Sequence, residues 1–404
     1  MTSTFPIDLL APAFTQNPYS DYARLRKEAP VHRTTLPDGR PLWLITRYED
    51  VVAALKNSHL VKNGRSVMTP EQQEQYGKPP KSIALFSYNM LSVDPPDHTR
   101  LRTLVQKAFT PRRIEQLRPR IQEIADSLLD EVQPQGQMEF INDYAFPLPI
   151  IVIAELLGVP AEDREDLRKW SNAAIDVEST EDRFALLAPA MDAFVEYLAN
   201  MFASRRAHPQ DDLITALLEA EEAGDKLSED ELYAMVILLL IAGHETTVNL
   251  IGNGMLALLM NPDQMRLLQE QPALIHSAVE EFLRYDGPVE TSTARFASED
   301  VTIGDQTIPR GEQVLVVIGS ADRDEERFVD PDTLDITRTD NRHVAFGHGI
   351  HFCLGAPLAR LEGEIAINTV LRRFPDIRLQ DTPENLVWRR SLVIRGLQKL
   401  PVVF

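Results

Sequence analysis

The stretch from Ser228 to Met260 constrains the fold more than any other feature of this 404-residue chain. Ser228 with Glu231 is a capping box, in which each side chain satisfies the other's exposed backbone N–H. Helical patterning then continues to Met260, where Asn261-Pro262 ends it. The predicted helix is about 48 Å long at ~1.5 Å per residue. Residues 235–242, MVILLLIA, are apolar on every face, so its middle must be buried all round. That apolar run falls far short of the ~18 residues of a membrane span, which points to a protein core as its surroundings.

Shorter helices are predicted around it. Asp97 caps one reaching about Phe109. Thr110, followed by Pro at the first helical position, caps another that Pro134-Gln135-Gly136 stops. Ala145–Leu157 ends at Gly158. Asp192–Ala207 and Asp212–Ala223 follow, the latter stopped by Gly224. Two more cover Pro272–Tyr285 and Ala356–Phe374. Strand signals are few: Pro41–Thr46, Thr293–Ala297, Val301–Ile303, Val314–Ile318, Leu392–Ile394 and Leu400–Val403. The fold class expected is mainly α with small β-sheets. No repeat, low-complexity tract or linker appears, so a single domain over 1–404 is expected.

Lys+Arg number 41 against Asp+Glu 61, a net charge of −20, which argues against nucleic acid as a partner. The chain has one cysteine, Cys353, so no disulfide can form within it and a reducing cytoplasm is the expected setting. The start, MTSTFPIDLLAPAF, lacks a basic segment followed by a long apolar one, so no signal peptide and no membrane attachment are expected.

Cys353 lies in Phe346-Gly347-His348-Gly349-Ile350-His351-Phe352-Cys353-Leu354-Gly355, directly before the Ala356 helix. Three glycines make this a loop shaped by its backbone. A thiol before a helix N-terminus meets the positive end of the dipole, which favours the thiolate. A thiolate held in this way suits a haem iron, where it favours O–O cleavage. A buried inert thiol fits the same residues. So does a zinc cluster of His343, His348, His351 and Cys353. The loop alone does not choose.

Ala242-Gly243-His244-Glu245-Thr246-Thr247 places small residues and then a carboxylate where the long helix should be most buried. A buried carboxylate is costly without a partner. Gly243 permits close approach of a flat ligand and a local widening of the helix, and the Thr246 hydroxyl can bond back to a carbonyl. Four residues after His244 stands Val248, so the H-E-x-x-H zinc motif is absent. A helix kink with a solvated Glu245 is the competing reading. His98 and Arg102, four apart, share one helix face, and Glu281 and Arg284, three apart, share another. Singly, such pairs are usually solvated surface pairs. Basic groups at 98, 102, 295 and 351 suit the carboxylates of a cofactor.

Taken together, these features resemble the haem-thiolate monooxygenases, the cytochrome P-450 superfamily, and specifically its soluble bacterial members. The likeness covers essentially the whole chain. Phe346-x-x-Gly349-x-x-x-Cys353-x-Gly355, with Gly347 inside it, matches the haem-binding signature. Ala242-Gly243-x-Glu245-Thr246 matches the oxygen-activation segment, and Glu281-x-x-Arg284 the family's helix pair, with Arg338 as third partner. His98-Thr-Arg-Leu-Arg102 matches the helix that holds a haem propionate, and Arg295 and His351 match the other propionate contacts. Asp322 and Glu325 stand where soluble relatives often have Asn and Pro, a departure with no expected chemical effect.

The resemblance implies a cytochrome P-450 fold with haem b (iron protoporphyrin IX) between the long central helix and the Cys353 loop. It implies Cys353 as axial ligand, Glu245 and Thr246 as the catalytic proton-delivery pair, and Glu281, Arg284 and Arg338 as structural braces. The reaction implied is insertion of one atom of O2 into a hydrophobic small molecule, by hydroxylation or epoxidation, in secondary metabolism or in xenobiotic or lipid oxidation. A haem carrier or gas sensor without catalysis is the alternative, but it would not need Glu245 and Thr246. No G-x-G-x-x-G loop appears, so electrons from NAD(P)H are expected through a separate ferredoxin or flavodoxin with its reductase. Arg100, Lys107, Arg112, Arg113 and Arg360 are the candidate docking cations. Substrate contacts are expected from the loop before Asp94, the 161–207 helices, the helix face near Ala242, Val289–Thr293 and Ser391–Val393.

Overall fold

A computed structural model describes residues 7–9, 11–36, 39–76, 81–107, 109–175, 183–222 and 227–404. The chain divides into two compact units, one of Met1–Met68, Arg118–Ala145 and Thr246–Phe404, the other of Thr69–Leu117 and Phe146–Glu245. Its even composition carries no sign of this division.

The first unit holds all the strands among the described residues. In chain order they are β1 (Val31–Thr35), β2 (Pro41–Ile45), β3 (Leu60–Val61), β4 (Gln137–Glu139), β5 (Arg295–Ala297), β6 (Val301–Ile303), β7 (Gln306–Ile308), β8 (Gln313–Val316), β9 (Arg378–Leu379) and β10 (Pro401–Val403). The main sheet has the order β1-β2-β8-β5-β3, and β2 runs parallel to β8 with Leu44 opposite Leu315. The PLWLI run of β2 is apolar throughout because both faces are covered. Leu42 and Leu44 pack with Phe14, Tyr22 and Leu25, while Trp43 and Ile45 pack with Val51, Leu55 and Val314. In the same unit the helix Ala356–Arg373 packs against both Arg118–Val132 and Ile275–Asp286, and the buried Tyr144 hydroxyl, from the turn Ile141–Ala145, donates to its Ala366 carbonyl at 2.9 Å.

The second unit is helical among its described residues. Its elements include Asp97–Gln106, Pro111–Glu115, Pro147–Leu157, Arg164–Ile175, Arg183–Ala207 and Leu213–Glu222. The long helix, Glu229–Met260, begins in this unit and continues into the first. Its capping box is formed: the Ser228 N–H donates to Glu231 at 2.8 Å and the Glu231 N–H to the Ser228 hydroxyl at 3.3 Å. By length and composition this helix would pass as a membrane span, contrary to the estimate from its apolar run. Its apolar window is 78% buried inside the protein, as expected of a core helix.

Other boundaries differ from the sequence expectations for identifiable reasons. Asp97 does not cap: Pro96 holds that position and Asp97 pairs with Arg100 at 3.1 Å instead. The helix starting at Pro111 ends at Glu115 and a second starts at Arg118, because Pro119 cannot donate to the 115 carbonyl and its ring clashes with it. Thr293 and Ala294 stay outside β5, and Ile318 leaves β8 to open a short helix, Ile318–Ala321. Residues 392–394 form a turn held by the Ser391 hydroxyl, with one bridge between Val289 and Ile394 in place of a strand. The predicted stop at Ala223-Gly224, and the middle of the 161–207 region, lie outside the described residues.

Candidate functional site

In the first unit, the loop that presents Cys353 is built from turns. The Gly347 N–H donates to the Val344 carbonyl at 2.7 Å, and the Cys353 N–H donates to the Phe346 carbonyl at 2.9 Å. Gly347 and Gly349 adopt φ of +71° and +72°, which a side chain would strain. At Gly349 a Cβ would also come within 3.0 Å of the Leu55 carbonyl. His351 closes a single 3₁₀ turn, and Gly355 caps the helix Ala356–Arg373. Cys353 is exposed at the start of that helix, and Phe346 lies under the Arg360 guanidinium at 4.5 Å.

This donor set fits a haem better than a zinc ion. Both nitrogens of His343 are engaged, Nε2 with Glu280 at 3.2 Å and Nδ1 as acceptor from the Ala345 N–H at 3.2 Å. No group of three metal-ligating side chains occurs among the described residues. What remains is one thiol, in a glycine-shaped loop at a helix start. Arg360 also reaches Glu280, at 2.6 and 2.8 Å. Burial alone would raise the Glu280 carboxyl, but bonds from Arg360 and His343 outweigh it and hold it down at about 2.

Beneath this loop, Glu281 and Arg284 are fully buried, which rules out the surface reading of the pair. Arg284 donates twice to Glu281 at 2.8 Å, and Arg338 and Asn341 donate to the same carboxylate at 3.1 and 3.2 Å. Arg284 also holds the carbonyls of Asp322, Pro331 and Thr333. Arg295, on β5, is buried and donates to the Leu60 carbonyl at 3.2 Å.

The long helix stays a continuous α-helix through 242–247, so the expected widening is absent. Gly243 also packs closely within its unit: a Cβ there would lie 3.1 Å from Ile153 of the helix Pro147–Leu157. Ala242 is exposed and Thr246, one turn on, is partly buried on a helix whose neighbouring residues are mostly buried. Glu245 is 2% exposed, so the solvated reading fails. His244 donates from Nδ1 to the Leu240 carbonyl at 2.7 Å, which leaves Nε2 to accept from the Ser171 hydroxyl at 3.1 Å. In the same unit His98 is buried one turn before Arg102. Burial and then the Arg102 charge lower its pKa, with Asp94 opposing.

Sequence reasoning missed two carboxyls of the first unit. Burial pushes Glu362 up to about 8, opposed only by the Thr247 hydroxyl. It shares the apolar stripe of its helix with Leu358, Leu361 and Ile365, an anomaly that the 3.6-residue period does reveal. Burial likewise pushes Asp322 up to about 7, against His343, the Val344 N–H and Arg284. The candidate docking cations differ in their surroundings. Arg100 is committed to Glu231 at 2.5 Å and to Asp97, and Arg360 to Glu280, whereas Lys107, Arg112 and Arg113 are exposed.

The cytochrome P450 family model matches residues 4–395. The chain belongs to the cytochrome P450 family. Among its relatives is Cytochrome P450 107B1 of Saccharopolyspora erythraea, 52% identical over 100% of this chain and 99% of that one. Another is the Vitamin D(3) 25-hydroxylase of Pseudonocardia autotrophica, 48% identical over 99% and 97%. A crystal structure of the myxobacterial cytochrome P450 CYP267B1 in complex with myristic acid superposes with a TM-score of 0.94 at 46% identity, covering 98% of each chain. This P450 is therefore a haem- and O2-using oxidoreductase of the bacterial monooxygenase group, as the sequence resemblance implied, and the carrier or sensor reading is not favoured. The mostly helical fold with small sheets is the P450 fold.

Proposed function

We propose that this P450 inserts one oxygen atom into a hydrophobic, medium-sized substrate of the lipid, terpenoid, steroid or macrolide kind, within secondary metabolism or lipid oxidation. The observation that carries the reading is the Cys353 loop, whose backbone bonds fix the only thiol at a helix start. The bound haem supplies O2 binding and O–O cleavage. Cys353 would hold its iron through the thiolate, and Phe346, Gly347, Gly349 and Gly355 would keep the loop's path open to it. Arg295, His351, His98 and Arg102 are the residues assigned to its carboxylates. Ala242 and Gly243 keep the helix surface small, and Thr246 with Glu245 orders water and passes protons. Glu281, Arg284 and Arg338 brace the loop. The chain acts as a single catalytic domain, in the cytoplasm.

Electrons come from NAD(P)H through a ferredoxin or flavodoxin and its reductase. Lys107, Arg112 and Arg113 offer the docking charge, since Arg100 and Arg360 are engaged within the chain. The relatives support the substrate class: one is named for a lipophilic vitamin and one holds a fatty acid. The test is a ligand screen for the low-to-high-spin shift, followed by turnover of the hits under isotopically labelled O2. One labelled oxygen atom in the product is expected. Spectral binding without any labelled product would leave a carrier.

A further inference from the structure

We propose that Asp322 is a positioning residue for Cys353: its carboxylate anchors the thiolate loop to the buried Glu281–Arg284 pair. The inference rests on the reading of Cys353 as the haem ligand and assigns a task to a residue that the sequence alone gave none.

A continuous run of hydrogen bonds carries it. Arg284 Nη1 donates to the Asp322 carbonyl at 3.0 Å. Asp322 Oδ1 accepts the Val344 N–H at 2.7 Å. The Val344 carbonyl accepts the Gly347 N–H at 2.7 Å, and the carbonyl of Phe346, within that turn, accepts the Cys353 N–H at 2.9 Å. Asp322 is itself fixed from behind. Its N–H donates to the Ile318 carbonyl at 3.0 Å, and next to it Arg323 Nε donates to the Tyr285 carbonyl at 2.7 Å. The loop, by contrast, contains only turns and one 3₁₀ turn between His343 and Cys353. A segment without a ladder takes its position from the bonds that leave it, and the Val344 N–H leaves it for Asp322.

The side chain's cost argues the same way. Asp322 is 1% exposed, and its Oδ2 has no hydrogen-bond partner. A buried oxygen without a partner opposes folding. The short Asp side chain is retained there for the one bond that Oδ1 makes. Alanine would remove the acceptor and strand the Val344 N–H, whereas asparagine would keep an acceptor of the same reach without the charge.

The experiment compares wild type, Asp322→Ala and Asp322→Asn as holoproteins. In the reduced CO complex, Asp322→Ala should move most of the absorbance from ~450 nm to ~420 nm, the sign of a displaced thiolate. Asp322→Asn should restore the ~450 nm band. Hydrogen exchange covers the case in which Asp322→Ala does not accumulate. At pH 8.5, where Asp322 is ionised, the Val344 amide should exchange about fivefold faster in Asp322→Asn than in wild type, because a neutral acceptor binds it less strongly. Amides of Ile275–Asp286 should be unchanged. A wild-type band ratio in Asp322→Ala, or unchanged Val344 exchange in Asp322→Asn, overturns the anchor. A wild type without the ~450 nm band would instead overturn the assignment of Cys353, so the two failures are distinguishable.

Discussion

Replacing Glu281 with Ala should cost this protein more stability than any single surface change, and the structure gives the size. Glu281 accepts five hydrogen bonds, from Arg284 Nε and Nη2, Arg338 Nε, Asn341 Nδ2 and the Asp335 N–H. Neither Glu281 nor Arg284 has exposed side-chain surface. Without the carboxylate, Arg284 keeps three carbonyl partners but loses its counter-charge. Stranding a buried charge in this way costs ~3–5 kcal/mol, against a typical total of ~5–15 kcal/mol. Arg338→Ala removes one charged donor at the edge, where its side chain is 11% exposed, and leaves the central pair intact. Its cost should be lower, ~1.5–3 kcal/mol. The assay is urea unfolding of both variants, followed by far-UV dichroism and haem absorbance, with the yield of haem-loaded protein alongside. The expected order is wild type, then Arg338→Ala, then Glu281→Ala. A Glu281→Ala protein within ~0.5 kcal/mol of wild type, or one more stable than Arg338→Ala, would refute the buried-pair argument.

Three further outcomes are expected. Thr246→Ala should bind haem and substrate normally but lose coupling, with less product and more hydrogen peroxide per NAD(P)H consumed, because a proton donor must stand within ~2.6–3.2 Å or one water of its acceptor; full coupling would leave Thr246 as helix scaffold only. Arg295→Ala and Arg102→Ala should each speed haem transfer to an apo-acceptor, since a charged hydrogen bond contributes ~1.5–3 kcal/mol, and unchanged rates in both would remove them from the site. Glu362 sits at about 8 in the folded chain, above its unfolded value, so the native state binds that proton more tightly. Its stabilising contribution is complete below ~4 and is lost as pH rises toward 8, at up to ~1.4 kcal/mol per pH unit. The stability of Glu362→Gln relative to wild type, from urea midpoints, should therefore climb from pH 5 to pH 8; a flat difference would contradict the buried carboxyl.

The parts of the fold that were legible in the sequence are those set by local chemistry. The capping box at Ser228 and Glu231 and the Asn261-Pro262 stop framed the long helix within a residue of its observed limits, and Gly158, at φ +78°, ended its helix as expected. What escaped depends on partners distant in sequence. β4 is three residues long and exists because β10 pairs with it from the other end of the chain, and three residues show no readable alternation. The Cys353 loop was legible as a motif, while its anchoring was not. Asp322 looks like an ordinary turn residue until the fold brings the Val344 N–H to it. Gly243 was legible as a motif residue, while its close packing on Ile153 was not, because that contact comes from a helix about 90 residues earlier in the chain.

The account stands on Cys353 as the haem ligand, and the reduced CO difference spectrum tests that most directly. Wild type should show a band at ~450 nm, and Cys353→Ser, similar in size but without an ionised thiol, should show none while keeping its far-UV dichroism. A ~450 nm band that survived in Cys353→Ser would contradict the ligand assignment and, with it, the roles given to the loop and its supports.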